Sequence, residues 1–358
     1  MEVTPNVLKE RDILGCRKAI IPDSFAYTSP YDGCWLMRFY EMHGIDLFTS
    51  KVVTEKDLRL KIAQFDVLPE LMIMGNFIVE RSGVVSLCRS LGIDVVHTED
   101  GFFPHYETMH VDPLGFCWES SLTRMTFRTC HDTQRQRARE ARMAWTKFKP
   151  AELHPGITEP YVFWPLQLIE DRVNQWDLNL KEWDGLLHHF RASLPSQYQL
   201  VIKQHPRSDI NTLAGIEKLS RELPNTLFVK KHEDLKTLIA RSNAVAGANS
   251  SVLYEARLMF NKPVYCYARG WFTNHADLFM PVYKAHRPRE LNRFDLVEDN
   301  ALLKDDRLTD YADWFLYQML VRQIATHDEA RLDGGRFKRQ VRRLGYASYL
   351  QHGDELFA

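Results

Sequence analysis

Short apolar runs alternate with longer amphipathic stretches along most of this chain. This alternation is typical of an α/β protein with mostly parallel strands, because each parallel strand pair needs a crossover between its members. The predicted strands are Lys18–Pro22, Leu71–Asn76, Asp94–Thr98, Tyr161–Leu166, Gln199–Lys203, Thr226–Lys230, Ala244–Ala248 and Pro263–Tyr267. The predicted helices include Gly33–His43, Arg81–Leu91, Leu180–Leu194, Ile210–Glu222, Leu235–Arg241, Ser251–Phe260 and Asp310–Thr326.

One polar, arginine-rich stretch, Arg124–Lys149, interrupts the alternation, which restarts after Pro150. A chain of 358 residues with 45% hydrophobic residues is long enough for two cores. We therefore predict an N-terminal Rossmann-like domain over 1–150, a C-terminal one over 151–330, and a basic helix and tail over 331–358.

Charge and cysteine usage exclude several classes of protein. The net charge of -1 does not favour nucleic acid as a partner. The six cysteines lack C-x-x-C spacing, so free thiols in a reducing compartment are favoured over a zinc site or a disulfide framework. No leader pattern and no apolar run of about 18 residues is visible, which leads us to expect a cytoplasmic protein.

The first candidate ligand motif is Lys203-Gln-His-Pro-Arg207, which ends a buried strand. Ligands of open α/β sheets bind at the carboxyl ends of strands, and proline keeps the preceding histidine extended there. Lys203, His205 and Arg207 would offer donors to a phosphate. A polar surface turn is the ordinary alternative.

A second motif, Gly247-Ala-Asn-Ser-Ser251, joins a strand of small residues to a helix. Ser250 or Ser251 would cap that helix and leave amide groups for an anion, with Asn249 beside them. Glu255 lies one turn further on the same face, where it would accept ribose hydroxyls. An ordinary capped helix is the alternative, but the two motifs together favour a nucleotide site.

Two acidic segments are candidates for the chemistry. Glu99 and Asp100 end a predicted strand, where partial burial in a cleft between domains would raise a carboxylate pKa toward the range of a general base. The pair Glu170-Asp171 follows Gln167 in the first loop of the C-terminal domain. Each segment also reads as an ordinary acidic loop.

The combination of Lys203-Gln-His-Pro-Arg207, Gly247-Ala-Asn-Ser-Ser251 with Glu255, and Lys262-Pro-Val264 resembles the capsule polysaccharide biosynthesis family, which includes the retaining β-Kdo transferases. The resemblance implies two Rossmann-like domains facing a central cleft, a GT-B-like architecture. It implies that His205, Arg207, Ser250 and Ser251 hold the phosphate of CMP-Kdo, with Lys203 and Asn249 beside them.

The resemblance extends to the acidic segments. Glu99-Asp-Gly-Phe, Asp112-Pro-Leu-Gly and Ser120-Ser-Leu122 look like the acceptor-side segment of these transferases, which implies that Glu99 activates the acceptor hydroxyl and that Asp100, Ser120 and Ser121 lie nearby. Gln167 and Asp171 match the donor-side segment, with Asp171 as nucleophile and Glu170 as the alternative.

The expected function is transfer of Kdo, with retention, to a capsule or O-antigen glycan or a lipid-linked glycan. No Asp-x-Asp motif ends a strand, so we expect no metal and no cofactor. Rival hypotheses are a transferase of another CMP- or CDP-activated donor, such as sialic acid or a polyol, and a non-catalytic glycan-binding subunit. The basic stretches Arg135–Arg142 and Arg336–Arg343 suggest either contact with the cytoplasmic face of the inner membrane or solvated helix faces.

Overall fold

The chain folds into two α/β units in the computed structural model, which describes residues 18–22, 46–50, 54–64, 68, 71–74, 81–103, 108–112, 114–115, 117–169, 183–208, 210–281 and 303–325. The first unit comprises Met1–Thr126 with Gln318–Ala358, and the second comprises Phe127–Tyr317. The prediction of two Rossmann-like α/β domains is confirmed. The unit boundary lies at 126/127, whereas the sequence analysis placed it at 150. The basic helix and tail predicted over 331–358 lie outside the described residues.

The first unit is built on a six-stranded sheet in the order β12-β5-β4-β3-β1-β2. Strands β1 to β4 are parallel, whereas β5 and β12 are antiparallel to their neighbours. Its elements are β1 (Lys18–Pro22), β2 (Asp46–Ser50), α1 (Glu55–Ile62), β3 (Leu71–Met74), α2 (Arg81–Ser90), β4 (Asp94–Asp100), β5 (Thr108–Asp112) and β12 (Gln323–Ala325). A core that includes Leu58, Val84 and Val95 packs α1 and α2 against this sheet.

The second unit has a fully parallel six-stranded sheet in the order β11-β10-β9-β6-β7-β8. Its elements are α3 (Asp132–Thr146), β6 (Tyr161–Pro165), α4 (Asp184–Ser193), β7 (Gln199–Lys203), α5 (Ile210–Glu222), β8 (Thr226–Val229), α6 (Leu235–Arg241), β9 (Ala244–Gly247), α7 (Ser251–Leu258), β10 (Val264–Cys266), β11 (Met280–Pro281) and α8 (Asp306–Leu320). Strands β6, β7 and β9 are buried at every position, as expected for a sheet covered on both faces.

The predicted helix Asp310–Thr326 is wrong at its C-terminal end, since α8 stops at Leu320 and Gln323–Ala325 forms strand β12. The side chain of Gln323 accepts from the main-chain N–H groups of Phe102 and Phe103 and donates to the Phe103 carbonyl. These bonds and the pairing with β5 hold Gln323–Ala325 as a strand, so tertiary context overrides the amphipathic pattern.

Helix α3 lies in the second unit and is held there by ion pairs. Arg135 binds Asp310 at 2.9 Å, and Arg142 binds the buried Asp313 at 2.8 Å. Two arginines of the predicted basic stretch therefore pair with acids on α8, which favours a structural role for them over lipid contact. The second stretch, Arg336–Arg343, and the predicted helix Gly33–His43 lie outside the described residues. None of the helices in the described ranges is long and apolar enough to span a bilayer.

The described cysteines are Cys88, Cys117, Cys130 and Cys266, and all four are buried free thiols, as the sequence led us to expect. Burial raises the pKa of the Cys88 thiol to about 12 and that of Cys130 to about 11, which keeps both protonated and unreactive.

Candidate functional site

The carboxyl ends of three neighbouring strands in the second unit lie level with one another. Pro165 at the end of β6 pairs with Lys203 at the end of β7. On the other side Phe163 pairs with Val245, which brings Gly247 at the end of β9 level with Pro165. Neighbouring strands are about 4.8 Å apart, so the loops that follow these strands form one continuous edge.

Strand order indicates this edge as the expected place for a ligand. From β6 the chain adds β7 and then β8 on one side of the sheet. It then returns to the other side of β6, where it adds β9 and then β10. This is the doubly wound order in which ligands bind where the direction of winding reverses. The reversal lies between β6 and β9, and the loops there carry Gln167 and Asn249.

Gln167 and Asn249 join the two loops at the reversal. The Gln167 Nε2 donates to Asn249 Oδ1 at 2.9 Å, and the Asn249 main-chain N–H donates to Gln167 Oε1 at 3.1 Å. The Asn249 Nδ2 also donates to the Arg269 carbonyl at 3.3 Å, which ties in the loop after β10. Three strand-end loops are thus linked through one buried asparagine.

The helix that follows Asn249 begins as the sequence predicts. Ser250 caps α7, its Oγ accepting from the Val252 N–H at 3.3 Å, and Ser251 is the first helical residue. At Gly247 an added Cβ would lie 3.4 Å from the Leu253 side chain, so the strand end and the helix pack closely. The positive end of the helix dipole favours an anion at this position.

His205 and Arg207 lie on the loop after β7, beyond the other flank of β6. The His205 Nδ1 accepts from the Arg207 main-chain N–H at 3.2 Å, which assigns the proton of the neutral ring to Nε2. Arg207 is exposed and His205 is half-buried. The structure therefore gives this edge a cation and an imidazole donor, in keeping with a predicted phosphate site.

Lys203 differs from the prediction. Its Nζ donates to the Lys231 carbonyl at 2.9 Å, and the residue is only 6% exposed. Burial lowers the pKa of Lys203, against the opposing influence of Glu233 and Asp234. The ammonium group thus ties the loop after β8 to the end of β7 rather than being presented at the surface.

Glu255 also differs from the prediction. Its Oε1 accepts from the Trp145 indole N–H at 2.9 Å, and burial raises the pKa of its carboxyl to about 6. Lys236 lies 4.0 Å from the centre of the Trp145 ring and donates to the Trp145 carbonyl. In the structure Glu255 therefore anchors α3, and one of its oxygens is not open to a ribose.

Glu99 and Asp100 end strand β4 in the first unit. Their backbones pair with His110 and Met109 of β5. The structure describes only the main chain of these two residues, so the roles predicted for their side chains stay predictions. Asp171 and Glu170, which were predicted as nucleophile and alternative nucleophile, lie outside the described residues.

Ser120 and Ser121 are fully buried, and both bind the carboxylate of Asp112, which the sequence analysis named within a motif but gave no role. The Ser120 Oγ donates to Asp112 Oδ2 at 2.6 Å, and the Ser121 Oγ donates to the same oxygen at 2.7 Å. Asp112 also accepts from the main-chain N–H groups of Leu114, Gly115 and Ser121. This buried hub corrects the acceptor-side assignment of the two serines, since their hydroxyls are engaged inside the unit.

Sequence reasoning missed Trp145 and Lys236, and it missed the structural role of Asp112. Only that role had a usable signal, because aspartate followed by Pro-Leu-Gly is typical of a turn in which the carboxylate binds amides further along the chain. In the described ranges no group of three or more His, Cys, Asp or Glu could hold a metal ion.

Comparison with known proteins agrees with the sequence motifs and with the fold. Residues 127–275 match the family model described as capsule polysaccharide biosynthesis protein. The solved structure of a Thermosulfurimonas dismutans KpsC β-Kdo 2,7 transferase matches with a TM-score of 0.56 at 14% identity, covering 91% of this chain and 98% of that one. A β-Kdo 2,4 transferase structure from the same organism's KpsC matches with a TM-score of 0.52 at 14% identity, covering 80% and 90%. No curated protein matches by sequence.

Proposed function

We propose, from the match of residues 127–275 to the capsule polysaccharide biosynthesis family model, that this chain is a glycosyltransferase that moves Kdo from CMP-Kdo to a surface-polysaccharide acceptor. The proposal rests on the carboxyl ends of β7, β6 and β9, which lie side by side. The loop after β7 carries His205 and Arg207, and the loop after β9 leads into the capped start of α7. The similar fold of two proteins named β-Kdo transferases supports the choice of sugar.

The phosphate of the donor would bind at the start of α7. There the first-turn amides after Ser250 stabilise negative charge, and His205 and Arg207 approach from the loop after β7. When the bond from the sugar to the phosphate breaks, CMP leaves with additional negative charge on its phosphate. Preorganised donors stabilise that charge without a metal ion.

Retention would require two displacements. The Asp171 carboxylate, or Glu170 in its place, attacks the anomeric carbon, forms a covalent glycosyl ester and expels CMP. Glu99 then takes the proton of the acceptor hydroxyl, whose oxygen attacks the same carbon and releases the carboxylate. Each step inverts the anomeric centre, so the product keeps the configuration of the donor.

A donor scan tests the proposal. The full chain is incubated with an acceptor glycan and with CMP-Kdo, CMP-sialic acid or a CDP-polyol, and release of the nucleotide is measured. We expect repeated turnover of CMP-Kdo that depends on the acceptor and is lost in Asp171→Asn and in Glu99→Gln, the latter still releasing up to one equivalent of CMP as the sugar is transferred to the nucleophile. Turnover of another donor alone would transfer the assignment to that donor, and no turnover of any donor would favour a glycan-binding subunit.

A further inference from the structure

Both hydrogen-bonding atoms of the Gln167 side-chain amide bind the same residue, Asn249. Its oxygen accepts from the Asn249 main-chain N–H, and its nitrogen donates to the Asn249 side-chain oxygen. Asn249 is only 7% exposed, and its remaining amide nitrogen donates to the Arg269 carbonyl. Removing Gln167 would leave polar atoms of the buried Asn249 without a partner, which is costly.

Asn249 directly precedes the cap of α7. The next residue, Ser250, accepts from Val252 with its hydroxyl and from Leu253 with its carbonyl. A main chain held in place at Asn249 therefore sets where the cap begins and the direction in which the first-turn amides point. Gln167 reaches this point from β6, across the reversal of strand order.

We infer that Gln167 is a positioning residue, which acts on a bound nucleotide phosphate by fixing Asn249 and, through it, the amides at the start of α7. The inference rests on the proposed function only for the identity of the ligand. It changes the role predicted for Gln167, from a donor-binding contact to a support for the residues that make the contact.

A double-mutant cycle separates the two roles. The affinity for CMP is measured by titration calorimetry on the full chain for Gln167→Met, Asn249→Ala and the double variant. Methionine keeps the volume of glutamine without its hydrogen bonds. We expect each single variant to bind about tenfold more weakly, as for the loss of a net hydrogen bond. The double variant should bind no more than about twofold more weakly than the poorer single one.

The sheet offers a matched control at its opposite edge. Gln199, at the start of β7, uses its amide in the same way: its oxygen accepts from the Thr158 N–H and its nitrogen donates to the Gly156 carbonyl. Gln199→Met removes two equivalent hydrogen bonds from the same sheet far from the carboxyl ends of the strands. We expect it to leave the affinity for CMP unchanged.

Hydrogen exchange tests the positioning without any ligand. In the nucleotide-free chain, the amides of Val252 and Leu253 should exchange faster in Gln167→Met than in the parent or in Gln199→Met, although Gln167 touches neither amide. Unchanged exchange at these two positions, or additive losses of CMP affinity in the double variant, would overturn the inference. If the parent bound no CMP while exchange responded as expected, the donor assignment would fail and the positioning role would stand.

Discussion

Gln167 and Asn249 exchange two hydrogen bonds across the point where the strand order of the C-terminal sheet reverses, at 2.9 and 3.1 Å. This pair places the capped start of α7 beside the loops that follow β6 and β10. This edge carries the residues that the sequence motifs predict to bind a phosphate, and it is where we propose an anion site.

Removing the exposed cation of this edge should weaken nucleotide binding. Arg207→Ala is expected to lower the affinity for CMP about 10- to 100-fold, because a charge-assisted hydrogen bond to phosphate is lost. Titration calorimetry measures this. Arg221, an exposed arginine at the end of α5, provides the control, and Arg221→Ala should bind as the parent does. Equal affinities of all three proteins would remove Arg207 from the site.

The buried Glu255 should make stability depend on pH in a particular direction. Its folded-state pKa of about 6 lies above the ordinary value of 4.5, so the folded state binds its proton more tightly than the unfolded state. This contribution is fully present below about pH 4.5 and is lost as the pH rises through 6, in total about 2 kcal/mol.

Replacing the carboxyl by an amide tests this linkage. Glu255→Gln keeps an oxygen for the Trp145 indole but does not titrate. Urea unfolding at a series of pH values should show the variant gaining about 2 kcal/mol on the parent between pH 4.5 and pH 7. A difference between the two proteins that does not change with pH would contradict the prediction.

The Asp112 hub predicts loss of stability rather than loss of acceptor binding. Ser120→Ala and Ser121→Ala each remove a donor to a buried carboxylate, at an expected cost of about 1–3 kcal/mol in urea unfolding. Among active preparations, the KM for the acceptor should match that of the parent. A raised KM in variants of normal stability would restore the acceptor-side role of these serines.

Turnover should not require a divalent metal, since His205, Arg207 and the amides of α7 are expected to neutralise the leaving nucleotide. Activity measured after dialysis against EDTA should equal that of the untreated chain. Loss of activity that Mg²⁺ or Mn²⁺ restores would contradict this expectation.

The sequence predicted the second unit better than the first. Strands β6, β7 and β9 are buried throughout, so they appear as uninterrupted apolar runs between helices. Strand β5 was missed because it contains polar residues whose burial depends on distant partners. In β5, Asp112 is buried by serines eight and nine positions later, and no local periodicity signals that.

At the site, too, local features were predicted better than contacts with distant residues. The cap at Ser250 is a local feature and was predicted, whereas the partners of Lys203 and Glu255 are not local. Lys203 meets the carbonyl of Lys231 on the next strand's loop, and Glu255 meets an indole more than a hundred residues earlier. In the sequence, a charged residue next to a motif looks like a ligand contact. Only the folded chain shows whether its side chain already binds another residue of the protein.

The most direct test of the account is the intact mass of Glu99→Gln after incubation with CMP-Kdo. This variant keeps the nucleophile but lacks the base that activates the acceptor, so a covalent sugar adduct should accumulate, with peptide mapping placing it on Asp171 or its neighbour Glu170. The adduct should be absent when Asp171→Asn and Glu170→Gln are added together. A Glu99→Gln chain that releases CMP from CMP-Kdo and never carries the sugar would contradict the two-step mechanism.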